Sequence, residues 1–316
     1  MQLLPLMKGA ATYIPGLYKP ERGATGGTST ARYCYAVWMR HATLVAKYAG
    51  VTRFERIAEL GPGDSIGIGL TALLSGVSHL EALDVVHYAR ATRNRLIFGQ
   101  LVDLFRQRAS IPDDGEFPRM QPKLERYGFP SSLYSEQDLG LTLDEGRVRA
   151  INLAMEGQSS EVSINYRVPW DQHIAGRRGQ LDLVFSQAVL EHVVDVRETQ
   201  FRLAELIKPG GIVSHAIDFR SHCLTPDWDG HLQYPERLWR IVKGRRPYLL
   251  NRCSPTQQLD ALESAGFEVM WQGRIYAQPS RSSARLPIPF RNWSPDDHRT
   301  AALTVIARRK GSPNET

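Results

Sequence analysis

The sequence predicts an α/β fold in which a mostly parallel sheet carries helices on both faces. From about residue 51 onward, strand-like apolar segments alternate with helical ones, an order typical of such sheets. The stretch ELGPGDSIG at 59–67 adds a glycine-rich turn directly after the first strand. Of the 316 residues, 42% are hydrophobic and 23% are charged, so the chain can bury a sizeable core.

The elements are predicted in chain order. Residues 1–30 are rich in glycine, proline and threonine and are expected to form an irregular arm. Apolar residues at helical spacing, followed by Gly50, predict a helix over 31–50. Further helices are predicted at 65–75, 187–207 and 255–265, and strands at 56–60, 79–86, 162–168, 181–186, 211–219, 266–272 and 301–309.

The predicted organisation is an N-terminal arm and cap helix at 1–50 and a sheet domain at 51–316. Two long connections interrupt the sheet domain, at 86–160 and 220–252. Connections of this length are usually functional or form a substructure of their own. The first is predicted to be mostly helical and to cover one rim of the sheet.

Composition and termini exclude several classes of protein. The N-terminus lacks a secretory pattern and no apolar run is long enough to span a bilayer, so we expect a cytoplasmic protein without a membrane span. Cys34, Cys223 and Cys253 show no CxxC spacing and predict free thiols. The net charge of +6 comes mainly from scattered arginines, which indicate either solvated surface or an anionic partner such as a phosphate-linked sugar or nucleic acid.

The glycine-rich turn points to a ligand at the carboxyl edge of the sheet. No lysine follows the glycines, so the turn is not a P-loop. The spacing from Gly61 through Gly63 to Gly67 is one residue longer than a dinucleotide fingerprint, and Pro62 removes a backbone donor. Asp84 follows the second strand, where a carboxylate can bind ribose hydroxyls.

The ordered set ELGPGDSIG, EALDVV, LDLVFSQAVLEHV, IKPGG and LESAGFEVM resembles the motifs of class I S-adenosylmethionine-dependent methyltransferases. The resemblance covers roughly 51–309 apart from the two long connections. It implies a Rossmann-like, seven-stranded sheet in the order 3-2-1-4-5-7-6 with an antiparallel seventh strand, and S-adenosyl-L-methionine as cofactor. Together with ARYCYAVWMRH, SHAIDF and GHLQYPERLW, the motifs also resemble a bacterial methyltransferase group often attributed to polysaccharide or glycan modification.

Several residues are expected at the cofactor through this resemblance. Glu59 binds either loop amides or the cofactor's amino group, and Arg40 pairs with the cofactor carboxylate or lies on a surface helix. Tyr166 contacts adenine or packs in the core, and His192 lies beside the methyl group or merely packs. The full predicted set is Tyr33, Arg40, Glu59, Gly61, Pro62, Gly63, Asp84, Tyr166, Ser186, Gln187 and His192.

The stretch HAIDFRSH supplies the predicted catalytic residues His215, Asp218 and His222. Methyl transfer to a hydroxyl needs a proton acceptor, which histidine and aspartate can provide. The same residue types can hold a divalent metal, although their spacing matches no strong ligand signature and no metal is predicted.

The predicted reaction is O-methylation of a sugar, glycan or related small hydroxylated acceptor. SQAV stands after the fourth strand where amino-methylating enzymes of this fold carry NPPY-like sequences. The alternatives are a nucleic-acid methyltransferase, although a nucleic-acid partner is disfavoured, and a noncatalytic adenosylmethionine-binding protein. A nicotinamide oxidoreductase fits the glycine spacing least well. The oligomeric state stays open.

Overall fold

Seven strands form the centre of the molecule. The structure is a computed structural model that describes residues 2–16, 27–159, 161–172 and 179–311. The strands are β1 (Arg56–Leu60), β2 (His79–Leu83), β3 (Ser163–Arg167), β4 (Leu181–Gln187), β5 (Ile207–Asp218), β6 (Phe267–Tyr276) and β7 (Thr300–Arg309).

The strands join into one sheet in the order β3-β2-β1-β4-β5-β7-β6. Strands β1 to β5 pair in parallel, whereas β7 runs antiparallel to both of its neighbours. The predicted fold class and strand order are therefore confirmed. The carboxyl ends of β1, β2, β4 and β5 meet along one edge, which is where ligands bind in open sheets of this kind.

Helices cover both faces of the sheet. They are α1 (Leu4–Ala11), α2 (Ala31–Ala49), α3 (Gly67–Leu74), α4 (Ala91–Arg106), α5 (Glu136–Thr142), α6 (Glu145–Met155), α7 (Val196–Leu206), α8 (Glu236–Lys243), α9 (Pro255–Ser264), α10 (Ile288–Arg291) and α11 (Pro295–Arg299). One core layer packs α2, α3, α4 and α6 against the sheet, and the opposite layer includes α7 and α9.

Helix α2 is an internal support of the site. Thr30 caps its first turn and Gly50 ends it in the left-handed region, as the pattern predicted. Its large apolar residues are fully buried, including Tyr35 and Trp38, and the Trp38 ring packs edge-on against Phe185 of β4. The helix therefore forms part of the core beneath the carboxyl edge.

Two predictions of local structure are wrong. The N-terminal arm contains a helix, α1, which packs against α8 through a glycine-to-backbone contact at Gly9. The helix predicted over 187–207 begins only at Val196, because Asp195 accepts a hydrogen bond from the Glu198 amide and caps it there. Residues 188–195 are consequently a loop at the carboxyl edge.

The two long connections differ in content. The first contains α4, α5 and α6, in agreement with a mostly helical segment, but 107–135 is irregular. The second contains α8 and a short 3-10 turn at Gly230–Gln233. Among the residues that the structure describes, no helix combines the length and the apolar character that crossing a bilayer requires. The three cysteines are free thiols, as predicted.

Candidate active site

A cavity of about 740 Å³ opens at the carboxyl ends of β1, β2 and β4. Its walls come from the glycine-rich turn, the loop after β2, and the loop 188–195. Residues predicted from the sequence that line it are Tyr33, Gly61, Pro62, Gly63, Asp84, Gln187, His192 and His222. The structure thus brings together most of the predicted cofactor set, whose binding roles stay predictions.

The glycine-rich turn requires glycine for two physical reasons. Gly61 and Gly63 have φ angles of +71° and +69°, in the left-handed region that other residues rarely adopt. A Cβ atom on Gly61 would also lie 2.5 Å from a methyl group of Val189. Both glycines are therefore required by the backbone conformation that places this turn in the cavity wall, and at Gly61 a larger residue would also have to displace Val189.

Asp84 is held beside this turn by backbone amides. Its Oδ1 accepts a hydrogen bond from the Val85 amide at 2.7 Å, and its Oδ2 lies 3.4 Å from the Gly63 nitrogen. Burial raises the pKa of the Asp84 carboxyl, while the amides of Val85, Val86 and Gly63 oppose that rise. The result is a fixed hydrogen-bond acceptor on the cavity wall.

Glu59 lies behind the turn and does not line the cavity. Its Oε2 accepts a hydrogen bond from the Gly69 amide in the first turn of α3, at 3.1 Å. Burial raises the pKa of this carboxyl to about 8; the Gly69 amide counteracts the rise and the nearby charge of Asp84 adds to it. A backbone amide is thus present as a partner, although it belongs to helix α3 rather than to the loop, and the contact with the cofactor's amino group stays a prediction.

Arg40 does not reach the cavity, so its predicted contact with the cofactor carboxylate is not formed. The side chain is fully buried, and its guanidinium donates to the carbonyl oxygens of Pro112, Met120 and Pro122 at 2.7, 3.2 and 3.0 Å. It also lies over the Tyr127 ring, 4.9 Å from the centroid. Arg40 therefore fastens the irregular part of the first connection to α2.

Tyr166 and Ser186 also lie outside the cavity wall. The Tyr166 hydroxyl accepts a hydrogen bond from the Tyr88 amide at 3.2 Å and so shapes the loop after β2, while its contact with adenine stays a prediction. Ser186 is fully buried, and its hydroxyl bonds to His215 Nδ1 at 2.8 Å. Trp170 and Tyr88, which the sequence did not single out, supply the aromatic lining.

A second cavity of about 390 Å³ adjoins the first above β4 and β5. The two cavities share Tyr33, Gln187 and Ala188 as lining residues. Asp218, at the end of β5, lines the smaller cavity together with residues 116–121 of the first connection. A group bound in one cavity therefore lies next to a group bound in the other.

A buried chain of hydrogen bonds orients Gln187 at this junction. Its Oε1 lies 3.2 Å from His41 Nε2, and His41 Nδ1 lies 2.7 Å from the Ser214 hydroxyl. Burial lowers the pKa of His41 to about 4, against a weaker raising effect of the Gln187 hydrogen bond, so the ring is neutral near pH 7. Because an amide oxygen only accepts, His41 carries its proton on Nε2.

The predicted catalytic histidines separate in space. His215 is fully buried inside the sheet layer and lines neither cavity, so the structure contradicts its predicted place in the acceptor pocket. Burial lowers the pKa of His215 to about 3. His222 lies at the larger cavity instead, with Nε2 3.9 Å from Asp218 Oδ2. Its backbone φ of +48° turns the chain out of the strand direction.

His192 and Glu191 meet His222 at the same place. The rings of His192 and His222 pack edge to face, with centroids 4.9 Å apart. Burial and the neighbouring charge of His222 lower the pKa of His192 to about 4. Glu191 lies 3.7 Å from His222 Nε2 through its Oε1, and burial raises its pKa well above the usual value. Sequence analysis missed Glu191, although it stands next to His192 in the motif LEHV.

The chain is similar to solved methyltransferase structures. One is an S-adenosylmethionine-dependent methyltransferase from Mesorhizobium loti, with 16% identity, a TM-score of 0.42, and coverage of 87% of this chain and 98% of that chain. Another is a putative sarcosine dimethylglycine methyltransferase from Galdieria sulphuraria, with 11% identity, a TM-score of 0.44, and coverage of 86% of each chain.

A third is phosphoethanolamine N-methyltransferase 2 from Haemonchus contortus in complex with S-adenosyl-L-methionine, with 12% identity and a TM-score of 0.43, covering 89% of this chain and 58% of that chain. Neither a protein-family model nor a curated protein matches the sequence. The residues of the two cavities therefore carry the functional proposal.

Proposed function

We propose that this protein is an S-adenosylmethionine-dependent methyltransferase that methylates a hydroxyl of a sugar, glycan or related small acceptor. The observation that carries the proposal is the placement of the Gly61–Gly63 turn and the Asp84 carboxylate on one wall of the 740 Å³ cavity, at the carboxyl edge of the sheet. A cavity of this volume is in the range of cofactor sites.

The lining of the larger cavity matches the chemistry of the cofactor. Asp84 can accept hydrogen bonds from the two ribose hydroxyls. The turn at Gly61 and Gly63 admits the amino-acid part close to the backbone, because a Cβ atom is absent at both positions. Trp170 and Tyr88 offer aromatic surface for the adenine base.

When bound, the cofactor supplies a methyl group that is attached to a positively charged sulfur. The sulfur is the leaving group, and it needs no help from an acid. Tyr33 and Gln187 lie at the junction of the two cavities and can orient the acceptor there. Transfer of that methyl group to an acceptor oxygen would leave the sulfur as a neutral thioether, and the proton of the acceptor hydroxyl would pass to a protein base. Alignment and exclusion of water supply the remaining acceleration.

Asp218 and His222 are the proposed proton acceptors. Asp218 lines the smaller cavity and His222 the larger, and the two side chains lie 3.9 Å apart. Asp218 Oδ1 already accepts hydrogen bonds from the backbone amide and the guanidinium of Arg220. Its Oδ2 is therefore the oxygen placed to take a proton from an acceptor in the smaller cavity.

The smaller cavity suits a small polar acceptor. Its wall carries charged side chains, among them Arg119, Arg220 and Glu116, beside the apolar ring of Phe117. Among the aromatics of the second connection, Tyr234 and Trp239 are buried in a separate core cluster. Tyr248 lines the larger cavity, so Phe117 is the better candidate for an acceptor contact.

Transfer of labelled methyl groups tests the proposal against its rivals. We expect label in hydroxylated sugars or nucleotide sugars from a panel that also contains RNAs. Label in RNA alone, with binding that falls steeply with salt, would identify a nucleic-acid methyltransferase instead. Cofactor binding without any labelled acceptor would indicate a noncatalytic protein, and tighter binding of NAD than of S-adenosylmethionine would overturn the cofactor assignment.

A further inference from the structure

Three side chains with metal-binding atoms converge beside the larger cavity, which His192 and His222 line. Glu191, His192 and His222 each place one ligand atom so that all three atoms lie within 4.8 Å of one another. A fourth group, Asp218, lies at the rim, with Oδ2 3.9 Å from His222 Nε2. Glu191 and His192 come from the loop after β4, and His222 comes from the chain after β5.

The surroundings of His192 are those of a metal-binding histidine. Its Nδ1 lies 2.9 Å from the carbonyl oxygen of Tyr248, so Nδ1 carries the proton and Nε2 presents a free lone pair. Histidines that bind metals usually donate their other ring N–H to a carbonyl or carboxylate in this way. The ring is thereby fixed with its ligand nitrogen available.

Glu191 gives an independent indication of a missing partner. The residue is only 3% exposed, and within the described part of the chain its Oε2 has no hydrogen-bond partner. Its Oε1 accepts from the Asp218 amide at 3.3 Å. A buried carboxylate oxygen is costly unless a hydrogen bond, a cation or a metal compensates it. The unpaired oxygen belongs to the same group that joins the two histidines.

The backbone around the cluster is fixed from several sides. Asn251 donates from its side-chain amide to the carbonyls of Leu190 and Val193, at 2.7 and 3.0 Å, and its own amide donates to the Glu191 carbonyl. His222 and Cys223 both have positive φ angles, +48° and +61°. Such backbone persists only where surrounding contacts impose it, and it is found frequently at ligand sites.

We propose that Glu191, His192 and His222 form a binding site for a divalent transition metal ion, with Asp218 at its open side. Two imidazoles and one carboxylate favour Mn²⁺, Fe²⁺, Co²⁺, Ni²⁺ or Zn²⁺ over Mg²⁺ and Ca²⁺, which prefer all-oxygen sites. Three protein ligands leave coordination positions open, as in metal sites that act on a substrate.

The use of this ion in catalysis rests on the proposed methyltransferase function. A cation held by this cluster, beside the larger cavity and next to Asp218, would stabilise the negative charge that develops on the acceptor oxygen as its proton leaves. His222, once it is a metal ligand, no longer accepts a proton, so this role falls to Asp218. Metal binding itself involves neither the cofactor nor the acceptor and can be tested without them.

Titration of the EDTA-treated and dialysed full-length protein with Co²⁺ tests the site through visible absorption and calorimetry. We expect roughly one tight Co²⁺ per chain, displaced by Zn²⁺, since a site of this kind has three protein ligands. Glu191→Gln and His222→Ala should each weaken binding by at least about 10-fold to 100-fold, the loss seen when even an outer-shell partner is removed. His87→Ala, an exposed histidine on the loop after β2, should bind Co²⁺ like the wild type.

Two variants are needed because one of them can also reduce folding. Glu191→Gln removes a buried group and can reduce folding, whereas His222 is partly exposed and its loss is expected to leave the circular dichroism spectrum unchanged. Equal Co²⁺ affinity of the wild type and His222→Ala would overturn the proposal. Tight Co²⁺ binding without methyl transfer would leave the metal site standing and refute the proposed function. Undiminished methyl transfer in EDTA, with no Co²⁺ bound, would refute the metal site and leave the proposed function standing.

Discussion

The two halves of the carboxyl edge are built in different ways. Above β1 and β2, the wall comes from segments close in the chain, and the amide of Gly63 faces the carboxylate of Asp84 21 residues later. Above β4 and β5, it combines the loop 188–195 with residues near 218–222 and 248–251. The first half depends on local backbone conformation and the second on contacts between distant segments.

This difference explains why His215 and His222 have different surroundings. His215 follows strand alternation and points into the core, where it bonds to Ser186. His222 follows a backbone turn with positive φ and reaches the larger cavity. Both stand in the same stretch of sequence, but the two positions have opposite surroundings. Chemistry at the second half should therefore depend on His222, and stability of the sheet on His215.

The largest expected effect separates these two histidines. His222→Ala should lower turnover by about 100-fold to 10,000-fold, the usual range for loss of a general base and a reasonable one for loss of a metal ligand. Cofactor affinity should change little, because the turn and Asp84 stay intact. Steady-state methyl transfer and calorimetry on the same preparations measure the two quantities.

His215→Gln is the matched comparison. It leaves both cavity walls unchanged but disturbs a buried hydrogen bond, so it should reduce the free energy of unfolding by about 1–3 kcal/mol. Turnover per folded molecule should remain close to that of the wild type. A large loss of turnover in His215→Gln, with full activity in His222→Ala, would reverse the assignment of the two histidines.

The next effect concerns the first half of the edge. Gly63→Val should weaken S-adenosylmethionine binding by about 10-fold to 100-fold, because a β-branched residue at a φ of +69° costs about 1–3 kcal/mol. Asp84→Ala should weaken binding through the loss of its hydrogen-bond acceptor. Calorimetry with the cofactor measures both variants.

Gly50→Val controls for backbone strain alone. Gly50 has a φ of +68° at the end of α2, and apart from its chain neighbours no described residue has an atom within 4 Å of a Cβ built there. The variant should lose stability as Gly63→Val does but keep its cofactor affinity. Equal affinity losses in both variants would mean that the turn contributes only to folding.

The features that could be predicted from the sequence lie mainly in the first half of the carboxyl edge, and those that were missed lie in the second. The position of Asp84 and the turn at Gly61 and Gly63 were predicted because each depends on a short motif next to a strand, and the strand order was predicted through the family resemblance that the ordered motifs carry. Glu191 was missed because its significance arises only when His222 folds back against it. The predicted helix start at 187 is wrong because Asp195 caps the helix, while Asn251, distant in the sequence, bonds to the carbonyls of the preceding loop.

For Arg40 the sequence suggested a role at the site, whereas the fold gives it a structural one. A positive side chain on a helix near the cofactor motifs suggested the cofactor carboxylate as partner, but the partners lie in the first connection: three carbonyls and, at 3.5 Å, the carboxylate of Asp114. Carbonyl acceptors leave no trace in the sequence, since every residue carries one. The role of such a residue emerges only from the fold.

A smaller effect is expected when this connection is released. Arg40→Met should lower the free energy of unfolding by about 1–3 kcal/mol, because buried carbonyls lose their donors. Residues 116–121 line the smaller cavity, so the KM for the acceptor should rise while cofactor affinity stays unchanged. Arg40→Lys, which keeps the charge without the planar fork, should have a stability and an acceptor KM between those of the wild type and Arg40→Met. A weaker cofactor affinity in Arg40→Met with an unaltered acceptor KM would contradict this account.

The last expected effect concerns Glu59 and the dependence of stability on pH. The pKa of this carboxyl is about 8 in the folded protein and near its ordinary value of 4.5 in the unfolded chain, so the fold holds the proton more tightly. Its contribution to stability is complete below pH 4.5 and is lost as the pH rises towards 8, by at most about 1.4 kcal/mol per pH unit.

Glu59→Gln cannot titrate, so its free energy of unfolding should decline less than that of the wild type over this range. Denaturant unfolding at pH 5, 6, 7 and 8 measures the slopes. Glu55→Gln, at an exposed carboxylate before β1, is the control. Parallel slopes for Glu59→Gln and the wild type would show that Glu59 is already ionised in the fold, and its bond to the α3 amide would then be that of a charged group.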